Sequence, residues 1–73
     1  MNDIEAIREK IAHNVQSYRK RFDLTKRGLA AKAGVDEKQI RRLEGSADAF
    51  CPTIPTLMKI AKVFGIDYKE LLL

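Results

Sequence analysis

The chain has 73 residues, 45% of them hydrophobic and 33% charged, with a net charge of +4 at neutral pH. That length supports one compact domain, residues 1–73, with a modest core, and the balance fits a folded soluble chain rather than a disordered tail. A single cysteine, Cys51, and a single histidine, His13, exclude an internal disulfide, a CxxC motif and a histidine-based metal site.

The first segment carries Ile4, Ile7, Ile11, Val15, Tyr18 and Phe22. Their steps of three and four residues keep one apolar stripe on a helix. With Asp3 as N-cap, the spacing predicts a helix over residues 4–22, with Tyr18 and Phe22 in the core. Thr25 can cap a second helix over 26–33, and Gly34 stops it by taking the left-handed conformation. Asp36 with Gln39 forms a capping-box pattern at the head of a third helix that ends at Glu44, before Gly45. A loop follows from Gly45 to Pro52. Thr53 then caps a fourth helix, with Pro55 in its first turn and Leu57, Ile60, Ala61 and Phe64 on its inner face. Gly65 ends it. Asp67 with Glu70 repeats the capping box for a short fifth helix over 68–72. The expectation is all-α: five helices joined by short turns, with no strand.

Charge is distributed unevenly along this chain. Nine basic residues and three acidic ones lie between Arg19 and Arg42, a net charge of +6, while the remainder sums to −2. A polyanion-binding surface needs such a concentration, although a merely solvated basic face would look the same. Within that stretch two short helices flank a tight turn at Gly34. Ala30 offers a small side chain where two helix axes approach, and Ile40 and Leu43 anchor the second helix. The polar residues left outward on it are Glu37, Lys38, Gln39, Arg41 and Arg42, long side chains of the kind that read base edges or hold phosphates.

The segment KRGLAAKAGVDEKQIRRLE, Lys26–Glu44, resembles the helix-turn-helix of the Cro and phage-repressor family, also called the xenobiotic-response-element type. The stretches LAAKAGV, IRRLEG, PTIPTLMKIAKVFGI and DYKELL extend the likeness from about Ile11 to Leu72. The resemblance implies a compact five-helix, lambda-repressor-like DNA-binding domain whose second motif helix enters the major groove of double-stranded DNA. It implies base contacts by Glu37, Lys38 and Arg42, with Gln39 and Arg41 beside them. Phosphate contacts are expected from Lys26, where the helix dipole also favours an anion, and from the flanking Thr25 and Arg27. Arg19 and Glu44 match a pair that ties the first helix to the end of the recognition helix. Family members bind as homodimers on palindromic operators with half-sites about 34 Å apart. Candidate dimer surfaces are the Ile4/Ile7 extension and Leu71–Leu73, the latter needing a twin subunit or further chain as cover.

Some positions depart from the family pattern. Gly28 stands where an acidic residue is usual, weakening the second helix by about 1 kcal/mol relative to alanine while removing a negative charge near DNA. Glu37 is acidic where neutral amides are common; it could accept from cytosine N4 or repel phosphate. The 45–52 loop is longer than usual, and residues 1–10 extend the first helix. His13 reads as a surface residue and Cys51 as a half-buried loop thiol.

The function expected is a sequence-specific transcriptional regulator, a repressor, with no enzymatic activity, cofactor, metal or small-molecule ligand. The absence of a signal-peptide pattern and of any apolar run near the ~20 residues that span a bilayer points to the cytoplasm and to no membrane partner. The rival expectation is a protein-interaction module or antitoxin that keeps the fold and binds a protein partner; the +6 stretch argues against it.

Overall fold

The structure, a computed structural model, describes residues 3–45 and 50–73. Helix α1 spans Asp3–Arg21, α2 Lys26–Ala33, α3 Glu37–Glu44 and α4 Ile54–Phe64, and a 3-10 helix follows at Tyr68–Leu72. Among the described residues there is no strand. The expected loop over 45–52 lies partly outside the described residues, at 46–49. Among the described residues four α-helices therefore stand where five were expected. The last element is too short to accumulate i→i−4 bonds. Its first turn closes with Glu70 N–H donating to Asp67 O at 3.0 Å, and Asn14 Nδ2 on α1 donates to Leu71 O at 2.9 Å.

α1 ends one residue earlier than its apolar pattern predicts, and the stop is Asp23 at φ 57°. An aspartate can take this left-handed conformation at modest cost. Two hydrogen bonds tie the turn back to α1: Asp23 N–H donates to Lys20 O and Leu24 N–H to Arg19 O, each at 3.0 Å. Phe22, whose N–H still donates to Tyr18 O at 3.0 Å, is 47% exposed rather than a core residue, with its ring against Phe64 at 5.2 Å between centroids, while Tyr18 stacks on Phe64 at 5.4 Å. Capping is as the sequence predicts at Thr25, Asp36, Thr53 and Asp67. The two aspartates accept from Lys38 N–H and Lys69 N–H, each at 2.9 Å, one residue nearer than the capping-box pattern suggests.

One core joins all five elements: Ile11 and Val15 from α1, Leu29 and Ala30 from α2, Ile40 and Leu43 from α3, Leu57, Ile60, Ala61 and Phe64 from α4, and Leu71. Full burial of each large apolar side chain is worth about 1.5–3 kcal/mol before chain entropy is subtracted. α2 packs on α3 and α4, and α1 packs on α3 and the 3-10 helix. α3 is thus held from two sides. Of the terminal leucines, Leu71 is buried, Leu72 half-buried and Leu73 exposed; Ile4 and Ile7 are exposed as well. No helix among the described residues is long and apolar enough to cross a membrane.

Candidate nucleic-acid interface

The turn between α2 and α3 is built on two atoms of Ala30. Its methyl group is buried where the helices meet, and its carbonyl accepts from both Gly34 N–H at 2.9 Å and Val35 N–H at 3.0 Å. Gly34 sits at φ 73°, the conformation that a side chain would strain. Two residues later Asp36 caps α3, so the direction of α3 is fixed within a few bonds of the end of α2.

α3 has eight residues, and burial divides them into an inner row, an outer row and two margins. Ile40 and Leu43 are buried; Lys38, Arg41 and Arg42 are exposed; Glu37 and Gln39 are half-buried. The sequence reading had all five polar residues outward. Only three of them are, because an eight-residue helix wedged between α1 and α2 covers more than its two apolar positions. The outer row is therefore entirely cationic.

Two of these cations have fixed neighbours. Arg41 Nη2 lies 2.6 Å from Glu37 Oε2, an i,i+4 pair between an exposed and a half-buried side chain. The Arg42 guanidinium carbon stands 4.7 Å from the centroid of the Phe50 ring. Glu37, with two opposite expectations attached to it, is thereby turned toward its own helix.

Arg19 and Glu44 meet as the resemblance implies. Arg19 Nε donates to Glu44 Oε2 at 2.8 Å and Nη2 to Oε1 at 3.0 Å, while Nη1 donates to Leu24 O at 2.8 Å. One guanidinium thus joins α1, the turn before α2 and the last residue of α3. The Glu44 side chain is 2% exposed.

At the head of α2, Thr25 Oγ1 accepts from Gly28 N–H at 2.9 Å. A Cβ on Gly28 would stand 3.2 Å from that hydroxyl, so the glycine that weakens the helix also leaves room for a close cap. The N–H groups of the first turn not taken by the cap point outward, as at any helix start. Thr25 and Arg27 are exposed there and Lys26 half-buried.

Not all of the basic stretch faces one way. Lys32 lines a shallow cleft of about 560 Å³ with Ala33, Gly34, Lys59, Lys62 and Val63, formed by the end of α2 and by α4. Counting charge along the chain cannot separate Lys32 from the α3 cations; helix phase does. Sequence reasoning also missed Phe50. Its signal was available, as a lone aromatic in a loop with no helical stripe to claim it. Cys51 is exposed, not half-buried, and its neighbour Pro52 is buried. His13 is exposed on α1. Among the described residues no three His, Cys, Asp or Glu side chains gather as a metal site would require.

Comparison with known proteins agrees with this geometry. The N-terminal DNA binding domain of SinR from Bacillus subtilis superposes with a TM-score of 0.81 over 88% of this chain and 91% of its own, at 28% identity. A hypothetical transcription factor, NHTF from Neisseria, superposes with a TM-score of 0.85 over 100% of this chain and 82% of its own; at 22% identity it shows a common fold alone. No curated protein matches the chain. Residues 15–71 match the helix-turn-helix family, a span that holds Arg19, the Gly34 turn, all of α3 and all but the last residue of the 3-10 helix. The chain belongs to the helix-turn-helix family of the Cro and phage-repressor type.

Proposed function

We propose that this protein is a transcriptional repressor that binds double-stranded DNA in a sequence-specific way, with α3 in the major groove. The observation that carries the reading is the outer row of α3. Lys38, Arg41 and Arg42 project from a rod whose inner side is buried and whose end is clamped to α1. The family match and the likeness to a DNA-binding domain support it. An α-helix fits the major groove, where lysine and arginine pair with guanine O6 and N7. Lys38, Arg41 and Arg42 read bases in this proposal, with Gln39 at the margin of the same surface. Glu37 makes no base contact in this proposal and only moderates the charge of the surface. Thr25, Lys26 and Arg27 at the head of α2 hold a backbone phosphate and set the register. The protein acts as a homodimer on a palindromic operator, its two α3 helices spaced by one turn of DNA.

Selection of bound duplexes from a random pool tests this directly, followed by titration of the selected and scrambled duplexes at two salt concentrations. The expected result is a palindromic motif, preference for it over scrambled duplex of a thousandfold or more, and an affinity that falls steeply with salt. Weak, salt-insensitive binding with no recovered motif would overturn the reading and favour a protein partner for the same surface.

A further inference from the structure

We infer that Phe50 is a positioning residue for base reading: its ring orients the Arg42 guanidinium on the outer row of α3. This inference rests on the DNA-reading role proposed above for α3. Phe50 lies outside the helix-turn-helix, yet the chain returns after α3 so that its ring meets Arg42 at 4.7 Å. The ring is itself anchored. Phe50 is half-buried against the core and lines a groove with Ala12 and Gln16 of α1 and Leu43 of α3, and Pro52, two residues on, is buried.

The chemistry of the contact suits a reading arginine. A ring face attracts the cation through its quadrupole and holds it against a fixed surface. Arg42 remains exposed in this arrangement. An arginine free to sample all rotamers would lose that freedom on binding; one resting on a fixed ring has already lost part of it. Leucine at position 50 keeps apolar volume and removes the quadrupole, while tyrosine keeps the ring.

The test is a double-mutant cycle between Phe50→Leu and Arg42→Ala, read as affinity for the selected operator, for single-base variants of it and for scrambled duplex. Phe50→Leu is expected to weaken operator binding roughly two- to fivefold, the range of one cation–π contact at an exposed site. The loss falls on the base pair whose preference Arg42→Ala erases. Scrambled duplex binds as before, Phe50→Tyr binds like the unsubstituted protein, and Phe50→Leu has no further effect once Arg42 is alanine. If Phe50→Leu lowers the melting temperature, Phe50→Met repeats the measurement with a more adaptable apolar side chain. Equal weakening on every duplex, or full additivity with Arg42→Ala, overturns the inference. A preference that Arg42→Ala abolishes and Phe50→Leu leaves intact overturns the role of Phe50 alone. An unsubstituted protein that binds all duplexes alike overturns this inference together with the DNA-reading role of α3.

Discussion

Arg19 holds Glu44 with two parallel hydrogen bonds, at 2.8 and 3.0 Å, across 25 positions of chain. The third bond of the same guanidinium, to Leu24 O, closes the turn before α2. Removing one partner of a buried pair leaves an uncompensated charge and costs about 3–5 kcal/mol. The whole stability of a chain this long is only about 4–11 kcal/mol. Arg19→Met is therefore expected to lower the denaturation midpoint severely. Arg19→Lys recovers little, because an ammonium cannot reproduce the fork. The double variant Arg19→Met with Glu44→Leu should be more stable than either single one, since apolar groups of similar volume replace a buried pair at small cost. Chemical denaturation followed by circular dichroism reads all four proteins; a double variant as unstable as the two losses combined contradicts the account.

The Glu37–Arg41 pair gives a different expectation because it is not buried. With the Arg41 side chain 66% exposed and that of Glu37 32%, a contact of 2.6 Å is worth only about 0.3–0.5 kcal/mol. Glu37→Gln should therefore leave the melting temperature within about 4 °C. Its effect belongs to binding. With the carboxylate gone, repulsion of phosphate falls, and affinity rises for operator and scrambled duplex together while base preference is unchanged. Loss of preference at a cytosine would instead assign Glu37 a base contact of its own.

Much of this architecture was legible in sequence because it is set locally. A cap needs one oxygen near the next turn, and a left-handed stop needs one residue at positive φ, so Thr25, Gly34, Asp36, Thr53 and Gly65 could be placed by inspection. What was not legible depends on what lies across the helix. Nothing in the spacing of Tyr18 and Phe22 says that Asp23 turns left-handed or that Phe22, at the end of α1, is 47% exposed. Gln39 reads as an outward polar residue until α3 is seated between α1 and α2. The meeting of Arg42 with Phe50 joins residues eight positions apart and has no periodicity to announce it. The Arg19–Glu44 contact was equally non-local and was reached only through the family resemblance.

Phosphate and base contacts should separate experimentally between α2 and α3. Lys26→Ala at the head of α2 is expected to weaken binding to every duplex by a similar factor. It should also reduce the slope of log affinity against log salt by about one unit. Lys38→Ala, on the outer row of α3, should act mainly on the selected operator and relax its preference at one base pair, at a cost of about 1–3 kcal/mol. Titrations of both variants on operator and scrambled duplex over a salt series provide the check. Identical behaviour of the two variants would dissolve the division between a positioning helix and a reading helix.

Gly34 tests whether the turn contributes only backbone conformation or also close packing. A Cβ built there meets nothing within 4 Å, so alanine adds no clash, and its penalty comes from φ 73° alone. Gly65, at φ 69° with equally open surroundings at the end of α4, is an internal control outside the α2–α3 turn. Both Gly34→Ala and Gly65→Ala should lose about 1–2 kcal/mol of stability, the cost of a side chain in the left-handed region. Asparagine at either position loses less, because it tolerates that region. Below the melting transition, operator affinity should be the same for both alanine variants, since an unobstructed turn keeps its native path and presents α3 at its native angle. A tenfold loss of operator affinity confined to Gly34→Ala would mean that the turn relaxes instead, and that the angle of α3 rests on glycine at this position rather than on the Arg19–Glu44 clamp.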